Sequence, residues 1–156
     1  MDDAALKVGD TSVVTFTFSE SVTGFANADV TTIANGTLTT IAGSGSTYTA
    51  TFAPNASVED NTNVITVDKS GVADTAGNAG SGTTSTSNYT IDTLATVISA
   101  VSSTALYPPG AAITWTTSEA ATSQVEYGTT ISYGSTTTVD ATFVTNHTVN
   151  ISGLPA

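Results

Sequence analysis

The sequence predicts an all-β chain of two tandem β-sandwiches, and three observations carry that expectation. The 156 residues are 39% hydrophobic but only 10% charged, and they are rich in Thr, Ser, Val, Ala and Gly, a chemistry that favours strands and turns over helices. Short runs alternate apolar and polar positions, with Gly, Asn, Asp or Pro clusters between them. A pattern also repeats at an offset of about 100 residues, the length of one sandwich module.

Taken in chain order, the strand signals are Val13-Val14-Thr15-Phe16-Thr17-Phe18, Tyr48-Thr49-Ala50-Thr51-Phe52 and Val64-Ile65-Thr66-Val67. A period of two turns alternate side chains to one face, so each run reads as a half-buried strand. Turn clusters stand at Ala34-Asn35-Gly36, Gly43-Ser44-Gly45, Asp74-Thr75-Ala76-Gly77-Asn78 and Tyr107-Pro108-Pro109-Gly110. No window carries a helical stripe. Ser87 to Asp92 closes the first module and Ala95 to Val101 opens the second, which gives domains at 1–93 and 94–156 joined by a linker of few residues that limits bending.

The repeat aligns Thr15-Phe16-Thr17-Phe18-Ser19-Glu20-Ser21-Val22-Thr23 with Thr114-Trp115-Thr116-Thr117-Ser118-Glu119-Ala120-Ala121-Thr122. Without a gap, the same register sets Tyr48-Thr49-Ala50-Thr51-Phe52 against His147-Thr148-Val149-Asn150-Ile151. It also maps the opening strand of the second module to positions mostly before Met1. The expectation is a first module without most of its first strand and a second without its last two, unless a neighbour supplies them. Unpaired amides and the apolar face around Trp115, Val125, Tyr127 and Ile151 would then lie bare. The partners implied are neighbouring modules of a longer array, or neighbouring copies joined by strand addition into a fibre.

Thirteen acidic residues against two lysines and no arginine give a net charge of −11. That charge repels phosphate backbones and anionic lipid heads, so no nucleic acid is expected as a partner. The absence of cysteine removes disulfides, thiolate metal sites and thiol catalysis. No run approaches the ~20 apolar residues of a membrane span, so no membrane insertion is expected.

Catalysis by a nucleophile needs a base within reach, and His147 is the one histidine. It sits on an alternating strand in the slot that Tyr48 fills in the first module, and reads as half exposed on a sheet face. No enzyme is expected. Oxygen-rich loops suit calcium, which takes about 6 to 8 oxygen ligands. The loops after the second and sixth strands of a sandwich share one pole, which brings Glu20 towards Asp74 and Asn78 as candidate calcium ligands. Asp92 at the end of the first module and Glu119, the counterpart of Glu20, form a second candidate pair at the module junction. The competing reading of the Asp74 loop is a plain turn, with Asp and Asn capping their own backbone and Gly77 at positive φ. The remaining acidic residues read as solubilising surface. Lys69, at a strand end, reads as exposed.

Residues 3–93 resemble the bacterial immunoglobulin-like repeats of large surface adhesins. The resemblance runs through Leu6-Lys7-Val8-Gly9-Asp10-Thr11, Val14 to Glu20, Val22 to Phe25, Asn27-Ala28-Asp29-Val30, Asn63 to Val67, Gly71 to Asn78 and Tyr89 to Thr93. Residues 97–154 resemble a fibronectin-type-III-like domain of the kind that precedes purple-acid-phosphatase catalytic domains, through Ile113 to Glu119, Gln124-Val125-Glu126-Tyr127-Gly128 and Tyr133-Gly134. These resemblances imply tandem immunoglobulin-like and fibronectin-III-like sandwiches at a bacterial cell surface or in the extracellular space. The implied work is that of a non-catalytic spacer or interaction module. A self-assembling fibre subunit and an accessory domain of a secreted hydrolase are the alternatives. The phosphatase's metal ligands have no counterparts here, so that activity is not implied.

Overall fold

The computed structural model describes residues 1–107 and 109–154, and the chain divides into two compact units, Met1–Leu94 and Ala95–Ala156. Pro108 of the expected Tyr107 to Gly110 turn, and the last two residues, lie outside the described residues.

The first unit runs through β1 (Ala5–Lys7), β2 (Ser12–Thr17), β3 (Val22–Thr23), a 3-10 turn (Asn27–Asp29), β4 (Val30–Ile33), β5 (Gly36–Leu38), β6 (Ala42–Ser44), β7 (Thr47–Pro54), β8 (Glu59–Asn63), β9 (Ile65–Asp68), β10 (Ala73–Asp74), β11 (Thr83–Ser85) and β12 (Tyr89–Asp92). One layer has the order β2-β7-β5, with β6 also on β7. The other is built from β1-β12-β8 and β11-β9-β4. Only Val64 separates β8 from β9, so these two groups form one continuous layer. β1 pairs parallel with β12, and the other pairs in this layer, β12–β8, β11–β9 and β4–β9, are antiparallel.

Alternation decides what the layers bury. Val14 on β2 and Phe52 on β7 face Leu6, Ile65, Tyr89 and Ile91 from the other layer, and these six form one core. Phe25, Val67 and Val72 form a second, flanked by Phe16, Phe18 and Tyr48. Phe25 meets the rings of Phe16 and Phe18 edge-on at 5.1 Å each and that of Tyr48 at 5.3 Å, the geometry that ring quadrupoles favour. Asn63 is 0% exposed and fully engaged. Its amide donates to the carbonyls of Asp60 and Tyr89, and its side-chain oxygen accepts from Asn35. A buried amide with all its groups paired escapes most of the desolvation cost.

The second unit has β13 (Ile98–Leu106), β14 (Gly110–Ser123), β15 (Glu126–Tyr127), β16 (Ser135–Thr136) and β17 (Asp140–Ser152). β13-β14-β17 make one antiparallel sheet and β15-β16 a short separate ladder. Among the described residues neither unit contains an α-helix. The opening strand lies three residues later than Ala95, at Ile98, because Thr96 and Val97 are held instead by Glu119 and Ser118 side chains.

The repeat seen in the sequence is a repeat of pairing register. β2 opposes β7 with Thr15 on Thr49, Phe16 on Tyr48 and Thr17 on Thr47. β14 opposes β17 with Thr114 on Thr148, Trp115 on His147 and Thr116 on Asn146, each pair displaced by 99 residues from its counterpart. The equivalence then breaks. β5 begins at Gly36 and joins β7, whereas its counterpart β16 begins at Ser135 and joins β15. Gly36 explains part of the difference, because a Cβ there would run into the Phe52 ring.

Candidate functional site

The pole of the first unit gathers the first set of expected residues. β3 and β10 form a two-residue ladder, Ala73 on Thr23 and Asp74 on Val22, which draws the loop after β2 onto the loop after β9. Glu20, Lys69, Asp74 and Asn78 thereby line one cleft of about 260 Å³. Glu20 is thus brought to the Asp74 loop, as the sandwich geometry requires.

The hydrogen bonds in that loop are those of a turn. One Asp74 oxygen accepts from the backbone N–H groups of Ala76 and Asn78 at 2.9 and 2.8 Å, and the other accepts from the Asn78 amide at 2.6 Å. Gly77 has φ of 91°, in the left-handed region that favours glycine. The Asn78 side chain and then its backbone N–H hold the Asp74 carboxyl below its ordinary value of 3.8. Lys69, a cation, lines the same cleft. Among the described residues no three acidic or histidine side chains come together as a metal set. Glu20, Asp74 and Asn78 offer two carboxylates and an amide towards the about 6 to 8 oxygens that calcium takes, the remainder of which backbone carbonyls and water would have to supply.

Asp92 and Glu119 belong to different units. Asp92 is exposed at the end of β12, in register with Lys7 and Glu59. Glu119 lies where β14 shifts register, and one of its carboxylate oxygens accepts from the Thr96 hydroxyl at 2.7 Å. Several carboxylates that the sequence left as plain surface cap local turns: Asp68 accepts from Ser70 N–H, Asp60 from Thr62 and Asp140 from Thr142. Each is held below the ordinary carboxylate value, with the backbone hydrogen bond as the main cause. Lys69 is half-buried rather than exposed, because it lines both the pole cleft and the edge of β2.

His147 corrects another expectation. It does occupy the slot of Tyr48, but it is 2% exposed rather than half exposed. Its ring stacks on Trp115 with centroids 4.9 Å apart and planes within 5°. The Thr117 hydroxyl donates its proton to the Glu119 carbonyl at 2.6 Å, so it accepts from Nε2–H of His147 at 2.8 Å. Nδ1 then accepts from the Ser123 hydroxyl at 2.6 Å. Alternation placed His147 on the inner side of β17, and two hydroxyls satisfy its nitrogens there. Trp115 and Ile151, expected to lie bare, are 9% and 5% exposed. The exposed apolar residues of this unit are instead Ile98, Val101 and Phe143, among others.

No helix among the described residues is long and apolar enough to cross a membrane. The family described as bacterial Ig-like domain matches residues 1–91. No curated protein and no solved structure matches the chain.

Proposed function

We propose that this chain, which belongs to the bacterial Ig-like domain family through residues 1–91, is a non-catalytic extracellular spacer or interaction module of a bacterial surface or secreted adhesin-like protein. The observation that carries the reading is tandem repetition. The strand pair β2/β7 recurs in the same register as β14/β17, and length gained by repeating a module is what a spacer needs. For residues 95–156 a fibronectin-III-like identity is supported by the pairing of β16 with β15 rather than with β17.

Absence of catalysis is supported by the burial of His147, which is 2% exposed and whose two nitrogens are hydrogen-bonded to Thr117 and Ser123. A net charge of −11 suits a soluble surface that avoids anionic partners. The test is protease shaving of intact source cells, followed by blotting for residues 1–94. Loss of the signal before lysis is the expected result, and protection until lysis would place the protein inside and end the reading.

A further inference from the structure

Asn35-Gly36 is the only Asn-Gly step in the sequence. Asn35 ends the turn after β4, and Gly36 opens β5. Two separate demands hold these residues there. Asn35 has φ of 53°, in the left-handed region that Asn tolerates better than most side chains. Gly36 packs so closely on β7 that a Cβ would run into the Phe52 ring.

The side chain of Asn35 is committed to the fold. Its amide nitrogen donates to an Asp60 carboxylate oxygen at 2.8 Å and to the side-chain oxygen of Asn63 at 2.7 Å. Asn63 is 0% exposed and cannot turn its amide over, because its own nitrogen donates to the carbonyls of Asp60 and Tyr89. Its oxygen must therefore face a donor at position 35. The backbone of the turn is pinned as well: the Asn35 carbonyl accepts from Asn55 N–H at 2.8 Å and the Ala34 carbonyl from the Tyr89 hydroxyl at 2.7 Å.

An Asn-Gly step is also chemically labile. Glycine has no side chain to shield its nitrogen, so that nitrogen can attack Cγ of the asparagine before it. The new N–Cγ bond closes a succinimide ring as the Cγ–Nδ2 bond breaks, and ammonia leaves with the proton that the glycine nitrogen gives up. Water then opens the ring at either carbonyl, which yields aspartate or its backbone-lengthened isomer, isoaspartate. Since the Asn35 carbonyl faces β7, the next N–H, that of Gly36, points away from it. What restrains the reaction in the closed fold is the other partner. Cγ of Asn35 reaches the Gly36 nitrogen only after the amide has left Asp60 and Asn63, so opening of this corner releases it.

We propose that Asn35 is a site of spontaneous deamidation gated by opening of the first unit, and that the acid it leaves works against the unit closing again. A carboxylate at position 35 has no proton to give to Asn63, whose buried oxygen loses its donor. It also sets a negative charge against Asp60. Isoaspartate lengthens the backbone inside the turn besides. The device is one-way, because the ammonia is lost. The proposal does not rest on the spacer reading.

The test holds the full chain in mildly alkaline buffer with and without urea, and maps its peptides by mass spectrometry for the amide-to-acid change at residue 35. Conversion should run at least about tenfold faster in urea, where the first unit is open. After return to native buffer, chains converted at residue 35 should be enriched in the fraction that stays unfolded. Asn35→Asp carries the product's charge from the start and should lower the folding equilibrium constant of the first unit at least about tenfold in urea titrations. Asp60→Ala removes the facing carboxylate and should recover part of that loss in the double variant, which a turn that was merely looser would not show. Equal conversion with and without urea, or an Asn35→Asp chain as stable as the parent, would overturn the proposal.

Discussion

Phe16 against Tyr48 and Trp115 against His147 are one cross-strand pair met twice, in different surroundings. In the first unit the pair feeds an edge-on cluster with Phe18 and Phe25, beneath a second layer that closes a separate core. In the second unit the two rings stack face to face, and both are buried. Register is therefore set within the pair, by alternation and by the side chains that meet across it. Burial is set by the elements outside it, and these differ between the units.

The sharpest way to break the comparison is to truncate the pair in each unit. Trp115 and Ile151 are the buried apolar side chains among the described residues of the second unit. Trp115→Ala should therefore cost about 3–5 kcal/mol and remove that unit's dispersed NMR signals while those of residues 1–94 persist. Phe16→Ala, at the equivalent but half-exposed position, should cost about 1–2 kcal/mol by chemical denaturation and leave both units folded. Equal costs would mean that the two positions share an environment as well as a register.

A second contrast lies in polar burial. Tyr89 is 1% exposed and donates its hydroxyl to the Ala34 carbonyl at 2.7 Å. Burial, with Asp60 nearby, pushes its pKa from 10.0 to about 12. The folded form thus holds the proton more tightly than the unfolded form. Its contribution is complete below pH 10 and lost as pH rises towards 12. Tyr89→Phe should cost about 1–2 kcal/mol at neutral pH and flatten that alkaline decline, read from melting curves at stepped pH. In the second unit the counterpart test is Ser123→Ala, which leaves Nδ1 of His147 without its donor. It should cost about 1 kcal/mol and shift the His147 ring signals without moving those of the first unit.

Much of the architecture was legible in the sequence, for a physical reason. Half-buried strands must alternate, so Val14, Phe16, Ala50 and Phe52 announced β2 and β7, and the gapless repeat announced β14 and β17. Asp74 to Asn78 read as a turn because Asp, Asn and Gly each serve one in a known way. The rest depended on partners that no local pattern names. Phe25 and Val72 lie in loops and enter the second core only because β3 and β10 tie those loops together. Asn63 is polar, yet it is buried where β8 meets β12 beside a shift of register. His147 was placed on the correct strand and face. Its burial came from Trp115, Thr117 and Ser123, which lie 24 to 32 residues earlier along the chain.

The smallest expected effect concerns the pole of the first unit, where Glu20, Asp74 and Asn78 share a cleft. One Asp74 oxygen already accepts two backbone donors, from Ala76 and Asn78, and the other accepts the Asn78 amide, so the carboxylate is held by its own turn. A chelator should therefore leave the melting temperature of the first unit unchanged, since a ligand bound only by the folded form raises it by mass action. A fall on chelation, restored by calcium, would instead support the cation reading for these residues. Acid separates the two readings independently. The lowered pKa of Asp74 means that its contribution is present above the ordinary value of 3.8 and fades as pH falls below it. Asn78→Ala removes the largest cause of that lowering. In a self-capped turn it should move the Asp74 carboxyl titration, followed by NMR, upward whether or not calcium is present.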